Sequence, residues 1–228
     1  MDNRVEVLIL AGGLGTRLKS ISGDIPKPMM PINGKPFIQI LIDKLNKLDF
    51  HNINISISYN PEYFLNYFKD SEINFIIENE ALGTGGAIKY AVSKMNDFDY
   101  LLVLNGDTLF DIDYNQMLLK HKINDADITI ASKIMEKPYR YGTLEIGNNR
   151  ITRFKEKEEI PSGVINCGIY LINRSALTSL PNQNKFSFET EFLEKSTSNL
   201  KIIPYVSDVY FIDIGIPEDY NKANEYLK

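Results

Sequence analysis

The most informative part of this sequence is Leu8-Ile9-Leu10-Ala11-Gly12-Gly13-Leu14-Gly15-Thr16-Arg17-Leu18. It continues an apolar run that starts at Val5, and such a run of branched residues predicts a strand buried on both faces. Three glycines within four residues end that strand, so backbone N–H groups can converge on a ligand that approaches the main chain closely. Thr16 and Arg17 add side-chain donors suited to phosphate oxygens. We therefore predict a phosphate-binding loop, with a purely structural turn as the alternative.

A second cation follows the loop in Pro26-Lys27-Pro28-Met29, where two prolines stiffen the chain around one lysine. The order of the loop glycines fits neither the dinucleotide fingerprint G-x-G-x-x-G nor the P-loop G-x-x-x-x-G-K-S/T. A dinucleotide-dependent oxidoreductase also needs a ribose-binding acid after its second strand, and no obvious one is present. The two cations and the glycines therefore predict a phosphate site of another kind.

The composition excludes several classes of protein. With 228 residues, 43% of them hydrophobic and 24% charged, the chain can build a sizeable core. A net charge of −5 provides no general attraction for nucleic acid, so local cations or a metal must neutralise a polyanionic substrate. Cys167 is the only cysteine, which excludes an internal disulfide and suits a reducing compartment. No apolar run approaches the roughly 20 residues of a membrane span. We expect a cytoplasmic protein that binds neither nucleic acid nor membrane.

Strand and helix patterns alternate through the first half of the chain. Apolar spacing predicts helices over 36–48 and 114–123, with Asp113 as the N-cap of the second. Alternating or continuous apolar runs predict strands at 53–57, 75–77 and 100–104. This repetition predicts parallel strands joined by helical crossovers.

The pattern changes in two places. A short helix after Pro61 carries four aromatic residues that we expect in the core, namely Tyr63, Phe64, Tyr67 and Phe68. From Asp127 onward, strands at 128–132, 142–146 and 151–154 are separated by short connections, so antiparallel pairing is expected. Together the patterns predict an α/β fold, a Rossmann-like doubly wound, mixed and mostly parallel sheet with a small antiparallel region.

The stretch Glu78-Asn79-Glu80-Ala81-Leu82-Gly83-Thr84-Gly85-Gly86 leads into a helix predicted from near Thr84 to about Met95. The first turn of this helix has almost no side chains, so a ligand can approach its backbone N–H groups. An ordinary strand-to-helix junction is the alternative. The Glu78 carboxylate can accept from both the N1–H and the exocyclic amine of guanine, or it can be a solvated surface charge.

Two aspartates follow apolar strands at positions where open α/β sheets bind ligands. Asp107 comes directly after the strand at 100–104, and Asp213 ends the strand that starts at Tyr210. Carboxylate oxygens and substrate phosphates are the ligands that Mg²⁺ prefers, so this pair is a candidate metal site. The alternative for Asp107 is an ordinary Asn-Gly-Asp turn.

The string L-A-G-G-x-G-T-R-L followed by P-K-P-M resembles the signature of the sugar-1-phosphate nucleotidylyltransferases. Five later strings are also similar to that family: L-G-T-x-G at 82–86, Y-G at 141–142, F-x-E-K at 154–157, N-x-G-x-Y at 166–170 and D-I-G-x-P-E-D-Y at 213–220. The resemblance spans Val5 to Leu227 and departs at Ala81, where the related loop usually has proline. It implies one nucleotidyltransferase domain over 1–228, in which 1–125 mainly bind the nucleotide and 126–228 mainly bind the sugar phosphate.

The resemblance also implies roles for individual residues. The catalytic residues would be Arg17, which holds the triphosphate, and Lys27, which bridges the attacking and α-phosphates. Asp107 and Asp213 would hold Mg²⁺. The nucleotide-binding set would be Leu10, Ala11, Gly12, Gly13, Gly15, Thr16, Glu78, Gly83 and Thr84. The sugar-phosphate set would be Asn105, Gly142, Glu156, Lys157 and Asn166, although the charged run at 155–159 also fits a solvated hairpin.

Within the family, the chain most resembles the bacterial D-glycero-α-D-manno-heptose 1-phosphate guanylyltransferases. This implies transfer of a guanylyl group from GTP to the heptose 1-phosphate, giving GDP-heptose and pyrophosphate for surface polysaccharide synthesis. Mannose 1-phosphate guanylyltransferases and N-acetylmuramate 1-phosphate uridylyltransferases share much of the pattern and remain alternatives. A catalytically silent nucleotide-sugar sensor is the alternative of a different class, and the presence of all four predicted catalytic and metal residues disfavours it. The family often dimerises, so a homodimer is a further expectation.

Overall fold

The computed structural model describes residues 4–13, 15–155 and 159–227. The strands are β1 (Val5–Leu10), β2 (Pro31–Ile32), β3 (Lys35–Pro36), β4 (Ile53–Ile57), β5 (Asn74–Ile77), β6 (Tyr100–Asn105), β7 (Thr108–Phe110), β8 (Ile128–Glu136), β9 (Thr143–Gly147), β10 (Arg150–Lys155), β11 (Ser162–Asn173), β12 (Ile202–Val206) and β13 (Phe211–Asp213). The α-helices are α1 (Lys19–Ser22), α2 (Phe37–Lys47), α3 (Glu62–Tyr67), α4 (Gly83–Val92), α5 (Tyr114–Ile123), α6 (Glu194–Ser196) and α7 (Pro217–Tyr226). Among the described helices, none is both long enough and apolar enough to cross a membrane.

Nine of the described strands form a mixed sheet at the centre of the fold. Its main path runs β10-β9-β11-β6-β1-β4-β5, with β8 paired to β11 and β12 paired to β8. β1 lies between β4 and β6 and is parallel to both, since Val7 is opposite Ile53 on one side and Leu102 on the other. β11 runs antiparallel to β6, β8 and β9. The predicted doubly wound α/β sheet with an antiparallel region is confirmed.

The side chains of β1 show why this strand is central. Val7, Leu8 and Ile9 are all fully buried, because alternate residues pack into cores on opposite faces of the sheet. Val7 and Ile9 pack in one hydrophobic cluster with apolar residues of α2, and Leu8 packs in a second with residues of α4. The prediction of a strand buried on both faces is confirmed.

Most of the predicted elements are present, with corrections at particular residues. α5 covers 114–123 as predicted, and the Asp113 carboxylate caps it by accepting from two backbone N–H groups at its start. α4 ends at Val92, three residues before the predicted end. The aromatic cluster after Pro61 is only half buried, because Tyr63 and Tyr67 are 40% and 48% exposed while the two phenylalanines are buried.

A short ribbon brings the two candidate metal ligands together. β13 pairs antiparallel with β7, and Asp213 is directly opposite Thr108. The backbone N–H of Ile214 donates to the carbonyl of Asp107 at 3.0 Å and so extends the pairing by one step. Asp107 and Asp213 therefore lie side by side, although they are far apart in the sequence.

The glycines at the start of α4 serve a packing role that the sequence does not reveal. Phe186 accepts backbone hydrogen bonds from Gly85 and Gly86 at 3.0 and 3.3 Å. A Cβ on Gly86 would lie 2.2 Å from the carbonyl oxygen of Asn184. The segment 184–188 therefore packs on the first turn of α4, so this turn is only partly open to a ligand. The expectation of an open first turn is wrong at Gly85 and Gly86.

We predict that Gly86→Ala destabilises the protein by about 1–3 kcal/mol, because the added methyl group overpacks a site lined by rigid backbone. Helix propensity alone would give the opposite sign, since alanine is favoured over glycine within a helix by about 1 kcal/mol. Urea unfolding monitored by circular dichroism measures the difference.

Gly13→Ala is the matched control, because no atom of the described residues beyond its chain neighbours lies within 4 Å of its added Cβ. Its free energy of unfolding should stay within about 0.5 kcal/mol of the wild-type value. A Gly86→Ala variant that is as stable as Gly13→Ala would contradict the proposed packing.

Candidate active site

A cleft of about 390 Å³ opens at the carboxyl ends of β1 and β6. Leu10 and Asn105 are paired at these strand ends, and Gly106 donates to the carbonyl of Leu10 at 2.8 Å. The cleft brings together twelve of the predicted site residues: Leu10, Ala11, Gly12, Gly13, Gly15, Arg17, Lys27, Glu78, Gly83, Thr84, Asn105 and Asp107.

Glycine is needed at each position of the loop for a different physical reason. The carbonyl of Gly12 accepts from the Ser58 hydroxyl at 2.6 Å, and a Cβ on Gly12 would lie 2.8 Å from that hydroxyl. Gly15 has a φ of +57°, which favours glycine. Gly13 faces open space, so its main chain is accessible from the cleft. The structural-turn alternative therefore explains Gly12 and Gly15, and Gly13 retains the open backbone that a ligand requires.

Arg17 offers an exposed guanidinium at the cleft. It lies in the short 3₁₀ turn Thr16–Leu18 and forms no ion pair within the described part of the chain. A guanidinium without a protein partner can make paired hydrogen bonds to phosphate oxygens. The side chain of Thr16, predicted to bind the nucleotide, lies outside what the structure describes.

Lys27 forms the main ion cluster of the cleft. Its ammonium group forms a salt bridge with Asp107 and lies 3.6 Å from the Oδ1 atom of Asp213. The Lys27 side chain is only 10% exposed. Removing such a charge from water is costly, and the two neighbouring carboxylates offset that cost. The sequence predicted each of these residues for the site but not their direct contact.

Asp213 is the more buried of the two carboxylates. Burial raises the pKa of Asp213, the negative charge of Asp107 adds to that increase, and Lys27 and Arg140 act in the opposite direction. Its Oδ1 atom is buried and accepts no hydrogen bond from the described residues. Such an oxygen can accept a cation as a ligand without losing a hydrogen bond, and its existing electrostatic partner is the Lys27 ammonium at 3.6 Å.

Glu78 is held at the floor of the cleft. It is only 5% exposed, and it accepts from the Ser56 hydroxyl at 2.8 Å and from the backbone N–H of Leu82 at 3.2 Å. It is therefore not a solvated surface charge. Since a carboxylate has about four acceptor positions, Glu78 can accept further bonds from a ligand.

Thr84 uses its hydroxyl within the protein. The hydroxyl donates to Glu189 at 2.7 Å and accepts from the backbone N–H of Phe188 at 2.8 Å. Gly83, which precedes it, has a φ of +74° and lies against the carbonyl of Phe186. These two residues therefore shape the cleft. The Thr84 hydroxyl cannot also donate to a nucleotide, because its proton is already donated to Glu189.

The predicted sugar-side residues meet at an irregularity of β11. The register of β11 against β8 shifts between Asn166 and Tyr170. Gly168 lies in this bulge with a φ of +69°, and a Cβ there would lie 2.4 Å from the Nδ2 atom of Asn105. The backbone N–H of Asn166 donates to the carbonyl of Gly142 at 3.4 Å. Asn105, Gly142 and Asn166 are thus neighbours, whereas Glu156 and Lys157 lie outside the described residues.

The cysteine and both histidines lie outside the lining of the cleft, with Cys167 and His121 buried and His51 exposed. Burial raises the pKa of the Cys167 thiol, which keeps it protonated. Burial also lowers the pKa of His121 to about 4, and its Nδ1 atom lies 2.8 Å from the Thr129 hydroxyl. The cleft therefore offers cations, backbone N–H groups and carboxylates, a set suited to holding a polyphosphate.

Two residues that shape the site belong to neither predicted set of binding residues. Glu189 ends Ser187-Phe188-Glu189, which resembles the family's S-x-E segment, and Tyr170 ends the N-x-G-x-Y string, but the sequence alone assigned neither residue a defined role. Both contact residues of the predicted set, since Glu189 accepts from Thr84 and Tyr170 accepts from Asn166. The Asn166–Tyr170 contact is local, whereas no spacing signal links Glu189 to Thr84, because these two residues are distant in the sequence.

Comparison with known proteins agrees with this geometry. The model of the nucleotidyl transferase family matches residues 6–228. The chain is 43% identical to the D-glycero-alpha-D-manno-heptose 1-phosphate guanylyltransferase of Aneurinibacillus thermoaerophilus, over 98% of this chain and 99% of that protein. It is 45% identical to the protein of the same name from Campylobacter jejuni, over 95% and 97%.

Solved structures give the same result. Two crystal structures of HddC from Yersinia pseudotuberculosis, one of them complexed with GMP-PN, superpose with a TM-score of 0.87 at 42% identity. The superposition covers 99% of this chain and 100% of HddC. A glycine loop, the buried Lys27 and Asp107 line one cleft, and Asp213 lies beside Lys27 at a neighbouring pocket. On the family model and the relatives at more than 40% identity, this chain belongs to the nucleotidyl transferase family.

Proposed function

We propose that this protein transfers the guanylyl group of GTP to D-glycero-α-D-manno-heptose 1-phosphate, with release of pyrophosphate. The observation that carries the proposal is the buried Lys27 ammonium between Asp107 and Asp213, at the mouth of the glycine loop. Two relatives with more than 40% identity over nearly their full length carry the name of this activity. In this proposal residues 1–125 mainly bind the nucleotide and 126–228 mainly bind the sugar phosphate.

We further propose Mg²⁺ as the metal. Within the described residues no group of three or more His, Cys, Asp or Glu side chains could hold a metal. The two neighbouring carboxylates, one with a buried oxygen that accepts no hydrogen bond from the described residues, fit Mg²⁺. This ion binds through one or two carboxylates and completes its coordination shell with water and phosphate oxygens. When bound, the ion would neutralise negative charge on the reacting phosphates.

The residues of the cleft perform the reaction by positioning and charge neutralisation. The phosphate of the sugar is already an anionic nucleophile at neutral pH, so its attack on the α-phosphorus of GTP needs no protein base. Arg17 and the main chain at Gly13 hold the triphosphate and then the departing pyrophosphate. Lys27 bridges the attacking phosphate and the α-phosphate, where negative charge is most crowded during the displacement.

Glu78 supports the choice of GTP. Guanine presents two donors, N1–H and its amine, to a single carboxylate, whereas thymine and uracil present one. Glu78 is buried and keeps acceptor capacity toward the cleft. On the sugar side, Asn105, Gly142 and Asn166 supply hydrogen bonds to hydroxyl groups, and Glu156 and Lys157 remain predicted contacts.

The product would be GDP-heptose for surface polysaccharide synthesis. We place this step in the cytoplasm, because the single cysteine is a buried free thiol that suits a reducing compartment. We also propose that the protein forms a homodimer, because the family that it resembles often dimerises.

We predict that pyrophosphate release in the presence of Mg²⁺ occurs with GTP and the heptose 1-phosphate. The assay combines four nucleoside triphosphates with the 1-phosphates of heptose, mannose, glucose and N-acetylmuramate. Turnover with UTP and not GTP would contradict the role of Glu78. Tight nucleotide binding without turnover of any pair would favour a sensor.

We also predict that Lys27→Met lowers kcat at least about tenfold, because the ammonium acts mainly in the transition state. Steady-state kinetics with the best substrate pair measures this effect. Lys35→Met is the matched control, since Lys35 forms an exposed ion pair with Asp43 and lies outside the cleft. A Lys27→Met enzyme with kcat close to that of the control would remove Lys27 from the proposed mechanism.

A further inference from the structure

We propose that Glu189 is a positioning residue that couples the nucleotide side of the cleft to the sugar side through the chain Thr84–Glu189–Tyr170–Asn166. This inference rests on the proposed function and deepens it. The two ends of the chain are predicted substrate-binding residues, whereas Glu189 and Tyr170 belong to neither predicted set. This series of hydrogen bonds explains how two segments that are distant in the sequence are held in fixed positions relative to each other.

Glu189 is the centre of this network. Its Oε2 atom accepts from the hydroxyls of Thr84 and Ser187, at 2.7 and 3.0 Å. Its Oε1 atom accepts from the Tyr170 hydroxyl at 3.0 Å. Hydrogen bonds to a charged acceptor are stronger than neutral ones, so three such bonds hold the three donors firmly.

Tyr170 connects Glu189 to the sugar side. It is only 1% exposed, and its ring packs edge-on against Phe188 with 5.1 Å between the ring centres. A buried hydroxyl requires partners, and this one donates to Glu189 and accepts from the Nδ2 atom of Asn166 at 3.0 Å. Because its only proton goes to Glu189, the Tyr170 hydroxyl must act as acceptor toward Asn166.

That direction fixes the amide of Asn166. Its Nδ2 atom points at Tyr170, and its Oδ1 atom accepts from the backbone N–H of Gly168 at 2.9 Å. One amide proton and one oxygen lone pair are left for a ligand. Asn166 can then offer a sugar hydroxyl one donor and one acceptor whose positions are already fixed. Because the side chain is already ordered, less conformational entropy is lost when the sugar binds.

On the nucleotide side, Glu189 holds the start of α4. Thr84 bonds both to Glu189 and to the backbone N–H of Phe188, so the first turn of the helix is tied to the segment 187–189. Gly83 and Thr84 line the cleft at this turn. A substitution at Glu189 should therefore alter the binding of both substrates, whereas a substitution at Tyr170 should alter the binding of the sugar 1-phosphate alone.

This difference gives the test. We expect Tyr170→Phe to raise the KM for the sugar 1-phosphate about tenfold and to leave the KM for GTP within about twofold. Glu189→Gln should raise both KM values, because an amide has one acceptor oxygen in place of two. In the double variant the KM for the sugar 1-phosphate should be no higher than about twice that of the single variant with the higher KM. The reason is that both substitutions interrupt the same series of hydrogen bonds.

Glu194→Gln is the matched control, because Glu194 is an exposed acid shortly after Glu189. Its two KM values should equal those of the wild type. A Tyr170→Phe enzyme with an unchanged sugar KM would overturn the inference, as would fully multiplicative effects in the double variant. The second result would mean that Glu189 touches the sugar independently of Tyr170.

Amide hydrogen exchange at Gly168 tests the chain without catalysis. The wild type protects this N–H through Asn166, and we expect faster exchange in Tyr170→Phe and Glu189→Gln but not in Glu194→Gln. If the wild type shows no turnover with GTP and the heptose 1-phosphate, the proposed function fails, and the exchange result then decides the inference. Unchanged exchange at Gly168 in both variants would overturn it.

Discussion

The contact of Lys27 with Asp107, and its approach to Asp213, is the interaction on which the site depends. A buried ammonium needs nearby negative charge, and two carboxylates this close repel each other without a cation between them. Asp213 ends β13 and Asp107 directly precedes its partner strand β7, and the turn Lys27–Met29 supplies the lysine. The glycine loop lines the same cleft as Lys27 and Asp107. Groups that can bind phosphate and a carboxylate that can bind a metal ion are therefore close together, as the binding of a metal-bound triphosphate would require.

The glycines of the cleft divide between two tasks. Gly12 and Gly86 are required because another part of the protein occupies the place of a side chain. Gly13 has open space instead, which leaves its backbone accessible to a ligand. A glycine-rich motif in the sequence therefore mixes packing and binding positions, and only the surroundings of each residue separate them. The same holds for Thr84, whose hydroxyl serves the protein's own network.

Features set by neighbouring residues were predictable from the sequence. The burial of β1 follows from its apolar run, and Asp113 caps α5 through backbone groups two and three residues ahead. Long-range contacts were not predictable, because periodicity carries no information about them. The parallel pairing of β12 with β8 and the chain from Thr84 through Glu189 to Asn166 arise only when distant segments pack. Asp107 and Asp213 were predicted as a pair and Lys27 as a catalytic residue, whereas the contact of Lys27 with both carboxylates was not predicted.

The decisive measurement is the affinity of the protein–nucleotide complex for Mn²⁺, determined by electron paramagnetic resonance with a nonhydrolysable GTP analogue. If the two facing carboxylates form the metal site, Asp107→Asn and Asp213→Asn should each weaken Mn²⁺ binding about tenfold or more. Asp111→Asn is the control, because Asp111 pairs with Lys44 on the surface. Wild-type affinity in both Asp107→Asn and Asp213→Asn would contradict the account.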